Sequence, residues 1–203
     1  MSVRRWVLAS GNPGKIHELV ALFADTGLVD VSVVPQSAFG IEPPEETAAT
    51  FVENALVKAR HAARWSGLPA IADDSGLAVD ALGGAPGVRS ARFAGSGADD
   101  RANVAKLLAA LAGHEAAARG AVFHCVLVAL RAADDPAPLI ATGRWRGRIA
   151  PRPAGTRGFG YDPVFFDPTL GRTAAELDDA EKNRVSHRGR ALRALAAALL
   201  EAG

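Results

Sequence analysis

Apolar positions along the chain follow two periods. Val3 to Ala9 reads as a first strand, and after Ser10-Gly11-Asn12-Pro13-Gly14-Lys15 the residues Ile16, Leu19, Val20 and Phe23 recur at helical spacing, giving strand, tight loop and helix. Asn12 suits the N-cap and Pro13 the first helical position, so Gly14 and Lys15 fall in a first turn whose backbone N–H groups point outward. A second helix is expected over Thr47 to Ala63, opening with Glu45-Glu46-Thr47. Thr50 and Glu53 have capping-box spacing, and Asn54 and Lys58 lie one turn apart on one face. Pro69-Ala70-Ile71 reads as a buried strand running into Ala72-Asp73-Asp74-Ser75-Gly76. Gly83 to Gly87 reads as a loop, and Val104, Leu107, Leu108 and Leu111 mark an amphipathic helix ended by Gly113. Ala121 to Arg131 and Leu139 to Ile149 read as two long strands joined through Asp134-Asp135-Pro136, an antiparallel extension of the sheet. A loop with Gly155, Gly158 and Gly160 leads to the short strand Val164-Phe165-Phe166, and Leu192, Leu195 and Leu199 mark a closing Ala-rich helix. The pattern predicts an α/β fold with helices flanking a mixed sheet. With no repeat or linker, residues 1–203 read as one domain.

Composition narrows the classes. The chain is 49% hydrophobic and 22% charged with a net charge of +1, which gives no electrostatic case for nucleic acid or a membrane as partner. Basic residues precede an apolar stretch at the N-terminus, but that stretch is too short for a signal region or a membrane span. The single cysteine, Cys125, sits in the apolar run Val122 to Leu130 and reads as core packing. No intramolecular disulfide can form, and a reducing cytoplasm is the expected setting.

Candidate chemistry centres on Asp73 and Asp74. Adjacent carboxylates at the mouth of a buried strand are costly unless a metal, a phosphate-binding lysine or both join them. Strand neighbours face opposite ways, so one of the two should face the site, at the exposed position, and the other support it. A surface turn is the competing reading, because Asp, Ser and Gly are common turn residues. Ser10 to Lys15 resembles a phosphate cradle at a helix start but lacks Walker A spacing and a dinucleotide-binding glycine triplet. It reads equally as a plain capped helix start. Lys58 fits a solvated helix lysine as well as a phosphate ligand, Glu45 and Glu46 fit first-turn carboxylates, and His187 and Arg188 fit surface residues near a helix start. Phe159, bounded by glycines, has little local core to join, so a stacking platform for a flat ligand competes with packing.

Six motifs carry a resemblance running nearly end to end: Ser10 to Lys15; Glu46-Thr47 with Thr50-Phe51 and Glu53-Asn54-Ala55; Ala72 to Leu77; Gly83 to Gly87; Gly158 to Pro163; and Glu181-Lys182-Asn183 with Ser186-His187-Arg188-Gly189. In this order they resemble the inosine triphosphate pyrophosphatase family of Ham1-like or RdgB-like enzymes. Ala48 stands where many relatives place glycine. The resemblance implies a homodimer with an elongated mixed sheet in two lobes and a central cleft between them. It also implies hydrolysis of ITP, dITP and XTP to the monophosphate and pyrophosphate with magnesium. It assigns catalysis to Asp74, Lys15, Lys58 and Asp73, and magnesium to Asp74 with Glu46, or Glu45, as second ligand. Ser10, Gly11, Asn12, Pro13, Gly14 and Lys15 would hold phosphate, and Ser75, Phe159, Gly160, Tyr161, Asp162, Lys182, His187 and Arg188 would line the nucleoside pocket with Phe159 on the base.

Base choice then follows from polarity. A 6-keto oxygen accepts hydrogen bonds, so Arg188, Lys182 or backbone N–H donors favour it, whereas adenine's 6-amino group leaves such donors unpaired. Rival readings are a Maf-type pyrophosphatase, separated by substrate profile; a binding-only nucleotide regulator, separated by pyrophosphate release; and a nucleic-acid-binding module, which the near-neutral charge disfavours.

Overall fold

The computed structural model describes residues 4–24, 26 and 31–202; Val3 of the expected first strand lies outside the described residues. The regular elements are β1 (Arg4–Ala9), α1 (Pro13–Ala24), β2 (Val31–Pro35), α2 (Phe51–Ser66), β3 (Ala70–Val79), α3 (Asp100–Ala110), β4 (Gly120–Leu130), β5 (Leu139–Ile149), β6 (Phe165–Asp167), β7 (Arg172–Thr173), α4 (Asp179–Val185) and α5 (His187–Glu201). The strands form one seven-stranded sheet in the order β2-β1-β3-β4-β5-β6-β7. β1 pairs in parallel with β2 and β3, and β6 pairs antiparallel with β5 and β7, so the sheet is mixed as the alternating pattern predicts.

Two differences from the sequence expectation bear on the site. The second helix starts at Phe51 rather than Thr47, because Thr50 is its N-cap and forms a reciprocal capping box with Glu53. Glu45 and Glu46 therefore precede the helix instead of lying in its first turn. The double aspartate is not a surface turn; β3 continues through it to Val79, with both carboxylates buried.

The chain divides into two compact units. The first comprises Met1–Asp74, Cys125–Gly143 and Arg188–Gly203. Alternation along its strands sorts the core onto two faces. Trp6, Leu8 and Ile71 pack with Leu19, Leu22 and Phe23 of α1 and Ala191, Leu192 and Leu195 of α5. Val7, Ala9, Ala70 and Ala72 pack against Ala55, Ala59, Ala62 and Ala63 of α2. That run of alanines brings α2 close to the sheet, and the buried Asn54 and Lys58 share its packed face.

The second unit comprises Ser75–His124 and Arg144–His187. Its core joins Leu77 and Val79, Val104, Leu107 and Leu111 beside α3, and Phe123, Trp145, Tyr161 and Phe165. Gly147 lets β6 close against β5: a Cβ there would sit 2.5 Å from the Phe166 carbonyl oxygen and 2.8 Å from the Phe165 ring. The buried Arg119 guanidinium donates to the carbonyls of Ile149, Leu111 and Ala150 at 2.8, 2.9 and 3.2 Å, tying the end of α3 to the end of β5.

Candidate active site

In the first unit, the loop after β1 folds as its residues require. Asn12 Oδ1 accepts the Lys15 N–H at 3.0 Å and its carbonyl accepts that of Ile16 at 3.0 Å, so Asn12 caps α1 with Pro13 as first residue. Ser10 Oγ accepts the Asn12 N–H at 3.3 Å, closing the turn. Gly11 is required by close approach, because a Cβ would lie 2.8 Å from Pro43 Cγ. The result is a helix start whose first-turn amides and Lys15 ammonium suit an oxyanion.

β3 parity decides the fate of the two aspartates. Asp73 shares the face of Ile71, toward α1 and α5, and pairs with Lys15 Nζ at 2.9 Å. Asp74 shares the face of Ala72, toward α2, where Lys58 Nζ meets Oδ1 at 3.0 Å and Asn54 Nδ2 donates to Oδ2 at 3.4 Å. Burial alone would raise both carboxyls. For Asp73 the charges of Lys15, Lys58 and Arg188 outweigh burial and hold it well below the carboxylate range. For Asp74 burial, aided by the neighbouring Glu46 charge, wins over Lys58 and Lys15, and its pKa is raised. Two adjacent carboxylates are thus pushed apart, one held ionised and one made a better proton acceptor. Burial lowers the Lys58 pKa, but Asp73, Asp74 and Glu46 together reverse this, so the ammonium keeps its charge. Asp74 is only 3% exposed, so the expectation of an exposed member of the pair is corrected: its carboxylate is buried against Asn54 and Lys58 of α2.

Glu46 completes the set. Its Oε1 lies 3.0 Å from Lys58 Nζ, so a single ammonium bridges Glu46 and Asp74, while Glu45 is exposed. Asn54 holds this segment: its Oδ1 accepts the Ala48 N–H at 3.0 Å and its Nδ2 reaches the Ala48 carbonyl at 3.4 Å. No described non-glycine residue has positive φ, so alanine at position 48 carries no backbone strain. No cluster of three or more His, Cys, Asp or Glu suited to a metal occurs among the described residues. The donor set still fits a hard divalent ion, because two carboxylates sharing one cation leave most of the coordination to water and substrate phosphate, as magnesium prefers.

In the second unit, the loop after β5 is organised around Asp162. Its Oδ2 accepts the Phe159 N–H at 2.9 Å and the Lys182 ammonium at 2.5 Å, and Lys182 Nζ lies 5.1 Å from the centre of the Phe159 ring. Gly158 has φ of +73°, and a Cβ there would run into the Asp162 carboxylate. Phe159 is half-buried and, with Gly158, Gly160 and Asp100, Val104, Ala105 and Leu108 of α3, lines a cavity of about 620 Å³.

Several nucleoside-pocket candidates are placed elsewhere or otherwise engaged. Tyr161 is buried in the core with its hydroxyl donating to the Ser90 carbonyl at 2.8 Å, and burial raises its pKa. Asp162 supports the loop and Lys182. The His187 ring stacks on Phe123 at 4.6 Å, so it is not a surface residue. Arg188 is buried in the first unit, where it pairs with Glu18 and adds its charge to Asp73; a guanidinium buried there needs such carboxylates. Ser75 is half-buried on β3. Glu18 and Asp100 escaped sequence reading. Glu18 lies one turn after Lys15 on α1, but its partner is 170 positions away and leaves no local signal.

A mixed α/β sheet, an anion-accepting helix start and a split pair of carboxylates beside two lysines define a protein of phosphate chemistry. The sequence model of the Ham1 family matches residues 6–198, and the chain belongs to that family. A dITP/XTP pyrophosphatase of Yersinia pseudotuberculosis is 60% identical over 200 residues, spanning 98% of this chain and all of the relative. The structure of a Ham1 protein from Coxiella burnetii is similar with a TM-score of 0.88 at 50% identity, covering 98% of this chain and 99% of that one. The Staphylococcus aureus Ham1 protein follows at 0.85 and 39% identity, covering 98% of this chain and all of the other. No helix among the described residues is long and apolar enough to cross a membrane.

Proposed function

We propose that this chain hydrolyses dITP, ITP and XTP to the nucleoside monophosphate and pyrophosphate, keeping deaminated purines out of DNA and RNA. The reading is carried by one observation: Asp73 and Asp74 face opposite sides of β3, each paired with a lysine from a different helix, beside an oxyanion-accepting helix start. Relatives about 60% identical are named dITP/XTP pyrophosphatases, which supports dITP and XTP as substrates.

Water must attack the α-phosphorus as pyrophosphate leaves. Asp74, with its raised pKa, orients that water and takes its proton. Asp73 stays ionised and fixes Lys15, whose remaining ammonium donors, with the amides at the start of α1, hold phosphate oxygens. Lys58 sits between Asp74 and Glu46 and neutralises charge that develops on the leaving group. Asp74 and Glu46 would hold magnesium, which when bound supplies Lewis-acid stabilisation of phosphoryl oxygens. In the second unit, Phe159 stacks on the base and Lys182 donates toward a 6-keto oxygen. The protein works as a cytoplasmic homodimer, with residues 1–203 forming one functional domain.

The test is a pyrophosphate-release assay with magnesium across ITP, dITP, XTP, GTP and ATP. The inosine and xanthosine nucleotides should turn over fastest; faster hydrolysis of ATP than of ITP would sink the base assignment.

A further inference from the structure

At the start of α3 stand two acids with different work. Asp99 is the N-cap, its side chain accepting the Ala102 N–H at 2.8 Å. Asp100, the first helical residue, has no capping left to do. Its Oδ2 instead accepts the Gly160 N–H at 2.7 Å, across 60 positions of sequence. The preceding amide, that of Phe159, is held from the other side by Asp162. Two consecutive amides are thus fixed by two separate carboxylates, immediately at the aromatic residue. The anchoring post is itself rigid: Asn103 of α3 accepts the Ala94 N–H at 2.8 Å and donates to the Ala91 carbonyl at 3.2 Å. The loop is not rigid by nature, since Gly155, Gly158 and Gly160 all have positive φ and glycine costs most entropy to order. Asp100 and Phe159 line the same cavity, so the contact ties the loop to α3 at that cavity's wall.

We infer that Asp100 is a positioning residue for base recognition: its carboxylate ties the Gly158–Asp162 loop to α3 and presents Phe159 already ordered to the purine. This rests on the proposed stacking of Phe159 on the base. The ordering entropy is met during folding, so its loss appears in binding of ligands that carry a base and not in binding of the phosphates.

The experiment compares Asp100→Ala, Asp100→Asn and Phe159→Ala in the full chain, measuring KM and kcat for dITP, inhibition by inorganic tripolyphosphate, which has no base, and the melting temperature. Asp100→Ala is expected to raise KM roughly five- to tenfold, the worth of one hydrogen bond, with kcat within about twofold and tripolyphosphate inhibition unchanged. Asp100→Asn, which keeps an acceptor oxygen, should restore most of the KM. An unchanged KM in Asp100→Ala, where Phe159→Ala does raise it, overturns the inference alone. A silent Phe159→Ala overturns the stacking reading and the inference with it. A lowered melting temperature with equal weakening toward dITP and tripolyphosphate marks a merely structural role and also overturns it.

Discussion

Asp73 and Asp74 are one position apart and each is answered by a lysine from a different helix, yet their chemistry diverges because cationic charge prevails over burial at Asp73, while burial and the Glu46 charge prevail at Asp74. Asp74→Asn keeps size and the Asn54 contact but removes the charge, so turnover should fall by about a hundredfold or more, with circular dichroism unchanged. Wild-type rates in that variant would remove Asp74 from the mechanism. For Asp73 the sign of the pH effect follows from its depressed folded pKa. Its contribution to stability is complete above an unfolded value of about 4 and is lost as pH falls through the lower folded value. Asp73→Asn leaves Lys15 facing no carboxylate and should cost about 3 kcal/mol at neutral pH. Urea unfolding from pH 6 downward should show the gap to wild type narrowing below about pH 4; a constant gap would contradict the assignment.

At the scale of elements, caps and close approaches are the exposed weak points. Thr50→Ala removes the cap of α2 and should cost about 1 kcal/mol without changing the substrate profile. Gly147→Ala should cost about 3 kcal/mol, because the added methyl meets a backbone oxygen and an aromatic ring that cannot both yield. Thermal unfolding reports both. Most elements were legible in the sequence because their apolar periods match how they are packed: the Asn12-Pro13 start of α1 and the β5 boundaries are as the pattern predicts. The passage of β3 through Asp73-Asp74-Ser75-Gly76 was not, since locally these are turn residues and it is distant cations, the lysines of α1 and α2 with Arg188, that make their burial tolerable. Within the candidate site, Lys15, Lys58 and Glu46 come together as their motifs imply. Arg188 with Glu18 and Asp100 with Gly160 were illegible, because a long-range partner leaves no spacing to read.

At the scale of the whole molecule, a ligand that binds only the folded chain must raise its stability. Magnesium at a hundredfold excess over its Kd should add about 2.7 kcal/mol and shift thermal unfolding upward, and Asp74→Asn should abolish the shift. An equal shift in both proteins would place the ion elsewhere. The alternation of β3 also bears on how the chain finds its native pairing. β1 and β3 are aligned with Ala9 opposite Ala72, and both strands are apolar enough to tolerate other alignments. A slip of one residue would seat one aspartate in the other's place and carry its neighbour to a position that faces neither lysine, leaving a buried carboxylate without its cation. The charges proposed to act on phosphate thereby serve as a proofreading key for strand assembly, rejecting misaligned sheets before any substrate is met.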